Sequence, residues 1–319
     1  MAMTDNVDQT NRLGAKLVWY IFVFWDFLVL TLFSIKVYFI EFFKLFFPPP
    51  PKSLKGERIL ITGSGNGIGR EVCLQLAQSG ATLIGWDIDE AANNELLQDL
   101  TDLGAKAYVY VVDISDRSTV EATAAKVKKD VGNVTIVINN AAIMPAHSFL
   151  GHNPRELERV FQINVFGQFW ILREFLPSML KNNKGHIVTV CSAAGIIGTR
   201  NMVPYVGTKH AVHGYLEALK DELRHMPEKP RINFTTVYPC SVNTALTGGV
   251  NCFTKFPSLL PVLEPEYVAR ELIDAMRRNY EYIYLPKLVK LCGVYGKSLP
   301  MEVQRAATDF LQVYVEPIQ

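Results

Sequence analysis

Seven short apolar runs recur along the chain from residue 58 onward, and the first six each stop at a residue suited to holding a ligand. Residues 58–62 (RILIT) give way to glycines, 81–86 end at Asp87, and 107–112 end at Asp113. Residues 134–138 run into Asn139, Asn140, Ala141 and Ala142; 186–190 lead to Ser192; 231–238 reach Pro239. The seventh run is 282–285. Runs that are apolar along their whole length read as strands buried on both faces. Stretches with helical spacing lie between them, at 70–78, 118–131, 155–180, 204–224 and 266–278. Strands alternating with helices through right-handed crossovers predict an α/β fold, a doubly wound parallel sheet. Its ligand crevice lies at the carboxyl ends of the strands. Gly63, Asp87, Asn139, Ser192 and Pro239 all fall at such ends.

The turn after the first run, residues 62–69, reads TGSGNGIG. Glycines between strand and helix let the backbone approach a pyrophosphate, and the free amides at the helix start hold its charge. The pattern alone is weak; the strand before it and the helix after it strengthen it. Asp87, 18 residues past Gly69, is placed to accept hydrogen bonds from a ribose and to repel a 2′-phosphate. This predicts NAD in preference to NADP. The Asp113 carboxylate is a candidate adenine contact.

Residues 192–209 carry the reactive groups. Tyr205 and Lys209 stand four apart, on one face of a helix, and Ser192 lies at the mouth of the preceding strand. Free tyrosine has a pKa of about 10, and a neighbouring ammonium is expected to lower it toward the working range. Such a pair also arises by chance on a solvated helix face. Its position after a serine-ended strand favours the chemical reading.

The net charge of +1 argues against nucleic acid as a partner. Apolar residues concentrate in 17–47, and 17–35 contain a single charge, Asp26. A spanning helix needs about 20 such residues. The segment reads as a membrane anchor, either spanning or folded back at Asp26 as an interfacial hairpin. A core helix or a cleavable leader fits it less well. Lys36, Lys44, Lys52 and Lys55 after the segment, against Arg12 and Lys16 before it, lean toward a cytosolic main domain. Pro48 to Pro51 form a stiff spacer. The five cysteines show no paired spacing, which predicts a reducing compartment and no metal site.

Taken together, TGSGNGIG, Asp113, NNAA, Asn164 within INVFG, Ser192, Tyr205-x-x-x-Lys209 and residues 239–244 resemble the short-chain dehydrogenases/reductases over residues 53–285. The resemblance implies a Rossmann-type sheet, a catalytic tetrad of Asn164, Ser192, Tyr205 and Lys209, and a homodimer paired through the helices carrying Asn164 and Tyr205. It implies a nucleotide site formed by Gly63, Ser64, Asn66, Gly67, Ile68, Gly69, Asp87, Asp113, Ile114, Asn140, Ala141, Tyr205, Lys209, Pro239, Val242 and Thr244, with Thr244 at the nicotinamide amide. The membrane-proximal start, residues 167–188 and residues 256–276 are similar to the membrane-bound branch containing retinol and 17-beta-hydroxysteroid dehydrogenases. The implied location is the endoplasmic reticulum membrane or a lipid droplet. Two departures stand out: Ala142 and Cys240 occupy positions where the family usually has glycine.

The expected activity is interconversion of a lipophilic alcohol and its aldehyde or ketone with NAD(H). Tyr205 moves the proton, Lys209 holds the cofactor ribose, Ser192 bonds the substrate oxygen and Asn164 positions a relay water. A nucleotide-binding membrane or lipid-droplet scaffold with little turnover is the alternative. The expected divisions are 1–47 (tail and anchor), 48–52 (linker), 53–285 (catalytic domain) and 286–319 (C-terminal segment). Residues 245–263 read as a substrate lid. The C-terminal segment, with Lys287, Lys290 and Lys297 among apolar residues, reads either as membrane-surface or as packed on the domain.

Overall fold

The computed structural model describes residues 2–246 and 252–316, with side chains described for Lys16 and from residue 18 onward. Residues 247–251 of the expected lid lie outside the described residues. The chain divides into two compact units between Pro51 and Lys52.

The first unit is helix α1, Ala2–Lys44. It runs unbroken through Asp26, so the hairpin alternative does not hold: no proline or glycine interrupts residues 15–47, and the intrahelical ladder continues. Residues Val18–Lys44 form a helix long and apolar enough to cross a membrane. At 1.5 Å per residue it reaches about 40 Å, against a hydrocarbon core of about 30 Å.

The second unit is built on seven parallel strands. These are β1 Arg58–Thr62, β2 Thr82–Asp87, β3 Lys106–Val111, β4 Ile136–Asn139, β5 Gly185–Val190, β6 Ile232–Pro239 and β7 Tyr282–Leu285. Their order is β7-β6-β5-β4-β1-β2-β3. β1 pairs with both β2 and β4, so the winding reverses there and opens the crevice at its carboxyl end. All four residues of β4 and all six of β5 are buried, as strands covered on both faces must be.

Helices α2 Gly67–Leu76 and α8 Pro265–Arg278 cover one face, placing Val72, Leu76, Val268 and Leu272 against it. On the other, α4 Arg117–Asp130 and α6 Gly167–Lys181 bring Val120, Ala124 and Phe175 against Trp86. The helix α7 Val203–His225 adds Val212 and Leu216. Between β2 and β3 lies α3 Glu90–Asp102, which the sequence reading missed. Its buried stripe is Asn93, Leu96 and Leu100, so an amide stands where the periodicity calls for an apolar residue. Asn93 is satisfied by donating to the Tyr110 carbonyl at 3.0 Å.

Lys52, the first residue of the second unit, is held at the amino end of the sheet. Lys52 N donates to Arg277 O (2.8 Å) and Arg277 Nε to Lys52 O (3.1 Å). The Lys52 ammonium reaches His186 Nδ1 at 2.7 Å, and His186 Nε2 meets Thr235 Oγ1, which donates to Tyr280 O. Since the threonine proton goes to Tyr280, His186 donates from Nε2 and accepts from Lys52 at Nδ1. Burial lowers Lys52 to about 8 and holds His186 well below its ordinary value.

Candidate active site

The glycine turn is shaped by two left-handed residues and one close approach. Gly63 and Gly67 have φ of +65° and +54°, in the left-handed region that favours glycine. A Cβ on Gly69 would lie 2.0 Å from the Gly63 carbonyl oxygen. Asn140 staples the turn from β4, donating through Nδ2 to Thr62 O (2.9 Å) and Gly63 O (3.1 Å). Backbone amides of Asn140 and Ala141 donate to Thr62 Oγ1. Asn66 precedes α2 without a side-chain cap bond, which leaves the opening amides of the helix for an anion.

At the adjacent strand ends, Asp87 Oδ2 accepts from Gly65 N at 2.8 Å and Oδ1 from Asp89 N at 3.0 Å. Asp113 Oδ1 accepts from the amide and hydroxyl of Ser115. Two candidates turn away from the crevice. Ser64 is fully buried and bonds Asn93 Oδ1, and Ile114 packs in the core against Gly167. Thr244 comes within reach of the turn: a Cβ on Gly67 would lie 3.0 Å from its methyl. A glycine cradle with no room for Cβ atoms, an open helix start and a carboxylate at the next strand fit a dinucleotide.

Beside this cradle the reactive side chains converge. Tyr205 and Lys209 sit on α7, 5% and 2% exposed. Ser192, at the end of β5, hydrogen-bonds the Tyr205 side chain, and its Oγ accepts from Ala194 N at 3.1 Å. The Lys209 ammonium lies 5.5 Å from the Tyr205 ring centre and donates to Val190 O at 3.1 Å. The expected lowering of the tyrosine pKa is not what this environment produces. Burial pushes the phenol above its ordinary value, the Ser192 hydrogen bond opposes that, and burial also lowers Lys209.

Asn164 lies in a π-turn, Gln162–Phe166, between α5 (Pro154–Phe161) and α6. Its Oδ1 accepts from Ile143 N and its Nδ2 donates to Ile143 O, both at 2.9 Å, and to Thr208 Oγ1 at 3.1 Å. Both polar atoms of the side-chain amide are thus engaged by protein. It ties the loop after β4 to the helix bearing Tyr205.

A cavity of about 1120 Å³ opens over these groups. Ile68, Asn140, Ser192, Tyr205, Lys209, Pro239, Val242 and Thr244 line it, as do Ala142 and Cys240. Its roof joins part of the expected lid to the C-terminal stretch, a pairing of which the sequence offered no sign. Residues Tyr314–Val315 pair antiparallel with Cys252–Phe253, Asn201 Nδ2 donates to Val315 O at 2.8 Å, and Val315 packs in one cluster with Tyr205 and Met202.

Comparison with known proteins agrees with this geometry. The family model described as short chain dehydrogenase matches residues 57–253. Mouse epidermal retinol dehydrogenase 2 is 38% identical, over 83% of this chain and 85% of its own. Human 17-beta-hydroxysteroid dehydrogenase 13 is 38% identical, over 86% and 90%. Among solved structures, a short chain dehydrogenase/reductase from Burkholderia phymatum in complex with NAD superposes with TM-score 0.70 at 25% identity, over 79% of this chain and 96% of that one. Because the matched stretch begins one residue before β1 and takes in six of the seven strands, with the glycine turn and the Tyr205 helix between them, the chain belongs to the short-chain dehydrogenases, NAD(P)-dependent oxidoreductases of CH–OH groups.

Proposed function

We propose that the protein is a membrane-attached dehydrogenase of a lipophilic alcohol, of the retinoid or steroid type, with Tyr205 as general acid/base and NAD(H) as preferred cofactor. The observation that carries this reading is the cavity: Ile196, Met202, Val242, Leu260 and Leu299 line it, and it leads to the Tyr205 hydroxyl. Such a space accepts a large apolar molecule with one polar end directed at the tyrosine. The bound nicotinamide supplies the hydride. The chain's own part is positional and electrostatic. Tyr205 gives its phenolic proton to a substrate carbonyl, or takes one from an alcohol, while Ser192 holds the oxygens in register. Lys209 holds the cofactor ribose. A nucleotide-binding scaffold has no use for Lys209, since burying an ammonium is costly unless its charge serves the site. Incubating the protein with NAD and a panel of lipid alcohols tests the reading; absence of NADH formation across retinoids, steroids and long-chain alcohols would remove it.

The preference for NAD rests on Asp87 and on Arg70. Arg70, the cation nearest the turn, is paired with Asp99 of α3 and so is not offered to a 2′-phosphate. The wild-type protein is expected to show kcat/KM for NAD at least tenfold above that for NADP. Asp87→Ala is expected to narrow the gap. Equal values for both cofactors in the unmodified protein would rule the preference out.

Attachment to the endoplasmic reticulum membrane or a lipid droplet, with the catalytic domain facing the cytosol, is supported by the apolar helix and the cations following it. Removing residues 1–47 is expected to shift the protein to the soluble fraction. Nucleotide affinity is expected to stay the same, because every residue assigned to the nucleotide follows Pro51. A truncated chain that oxidises bilayer-dissolved retinol as fast as the full chain would show that attachment plays no part in substrate capture. A homodimer is supported by the exposed Phe149, Phe161, Phe166 and Val203, which line a shallow groove on the α5–α7 side.

A further inference from the structure

The helix α9, Met301–Leu311, is amphipathic with its faces reversed. A helix on a soluble domain directs its apolar stripe to the core, yet α9 has no buried residue. Met301, Gln304, Arg305, Thr308 and Leu311 face the cavity. Gln304 also pins the preceding turn by donating to the Leu299 carbonyl at 2.7 Å. Val303 and Phe310, 47% and 59% exposed, and Ala306, also exposed, do not line the cavity and form a strip on the outer side. Leu291, Val294, Tyr295 and Leu299 continue this apolar surface, each at least 40% exposed. Val289 and Gly293 hold the segment to the domain: Val289 is buried, and a Cβ on Gly293 would lie 2.5 Å from Ile196 Cδ1. The segment is thus packed at its start and open to the outside along α9.

We propose that residues 291–310 form a docking surface for the face of a phospholipid membrane, through which the lipophilic substrate reaches the cavity directly. The proposal rests on the membrane-attached reading given above and adds a second, reversible contact formed by the catalytic unit itself. Three observations favour lipid over a second copy of the chain. Exposed Lys287, Lys290 and Lys297, with Lys255 over the Phe310 ring at 5.3 Å, border the strip against one carboxylate on its outer side, Glu302, while Arg305 and Asp309 line the cavity. Basic residues around an apolar strip match anionic headgroups over an acyl layer. The strip is continuous with the cavity rim, since Leu291, Tyr295, Leu299 and Met301 belong to both. A separate apolar groove, on the α5–α7 side, is available to a second copy.

The test uses the full chain in vesicles of phosphatidylcholine and phosphatidylserine doped with a diazirine-bearing phosphatidylcholine. After illumination, lipid adducts are mapped by mass spectrometry. Adducts are expected on peptides spanning 291–310 as well as on 18–44, and those on 291–310 should diminish when phosphatidylserine is omitted. The double variant Val303→Glu/Phe310→Glu should lose the 291–310 adducts and raise KM for a vesicle-dissolved alcohol at least tenfold. Its NAD affinity should not change, since neither residue lines the cavity, and a cooperative thermal transition should show that it stays folded despite loss of the Phe310–Phe256 ring contact. Adducts on 18–44 with none on 291–310 would overturn this inference and leave the membrane-attached reading standing. Adducts on neither would overturn both. Conversion of a wild-type dimer to monomer by the double variant, with the adduct pattern unaltered, would assign the surface to a second copy and overturn it too.

Discussion

Tyr205→Phe is expected to lower kcat by at least a factor of about 100 and to leave NAD affinity within about twofold of the wild-type value. General acid/base transfer contributes on the order of 10²–10⁴ in rate, and a hundredfold loss corresponds to about 2.7 kcal/mol of barrier. The substitution removes one oxygen and no packing volume, so the buried helix face that holds Tyr205 stays intact. Lys209→Ala should damage turnover and nucleotide affinity together, because the ammonium is placed to serve both. The pH dependence follows from the direction of the tyrosine shift. Burial raises its pKa, so the phenol is protonated at neutral pH. Reduction of a carbonyl needs that proton and should hold its rate across the neutral range. Oxidation needs the deprotonated form and should climb as pH rises. A Phe variant retaining more than a tenth of the wild-type rate, or an oxidation rate that falls with alkalinity, would remove Tyr205 from the proton-transfer role.

The parts of this fold that were legible in the sequence are those set by local rules. The strands showed because burial on both faces forces continuous apolar runs, and β4 and β5 are buried throughout. The glycine turn showed because close backbone approach excludes any other residue at Gly69. What stayed hidden depends on partners far apart in the chain. Asn164 finds Ile143, 21 residues away, and its spacing carries no trace of that. The roof at Tyr314–Val315 rests on Cys252–Phe253, more than 60 residues earlier, and two-residue strands leave no periodicity. The proton affinity of Tyr205 was read with the wrong sign from spacing alone. A spacing of four from a phenol to an ammonium reports a shared helix face, whereas the shift is governed by how much water the fold removes. α3 was missed because Asn93, a polar residue in its buried stripe, is paid for by a backbone carbonyl of the neighbouring strand.

Gly69→Ala is expected to weaken NAD binding by at least tenfold, about 1.4 kcal/mol, and to lower the thermal midpoint as well. The added methyl would sit 2.0 Å from the Gly63 carbonyl oxygen and 2.6 Å from Asn140 Nδ2. Neither neighbour yields easily. The Gly63 oxygen is backbone in a left-handed turn, and Asn140 is held there by two hydrogen bonds, to Thr62 O and Gly63 O. The strain therefore moves the turn relative to the opening of α2, and the amides that face a pyrophosphate lose their alignment. Gly214→Ala on α7 is the control. Nothing lies within 4 Å of a Cβ there, and alanine in a helix interior is favoured over glycine by about 0.5–1 kcal/mol. That variant should gain stability and keep its NAD affinity. Calorimetric titration with NAD, set beside thermal melts of both variants, separates loss of binding from loss of folding. A folded Gly69→Ala protein that binds NAD as tightly as wild type would mean that the pyrophosphate is held somewhere other than this turn.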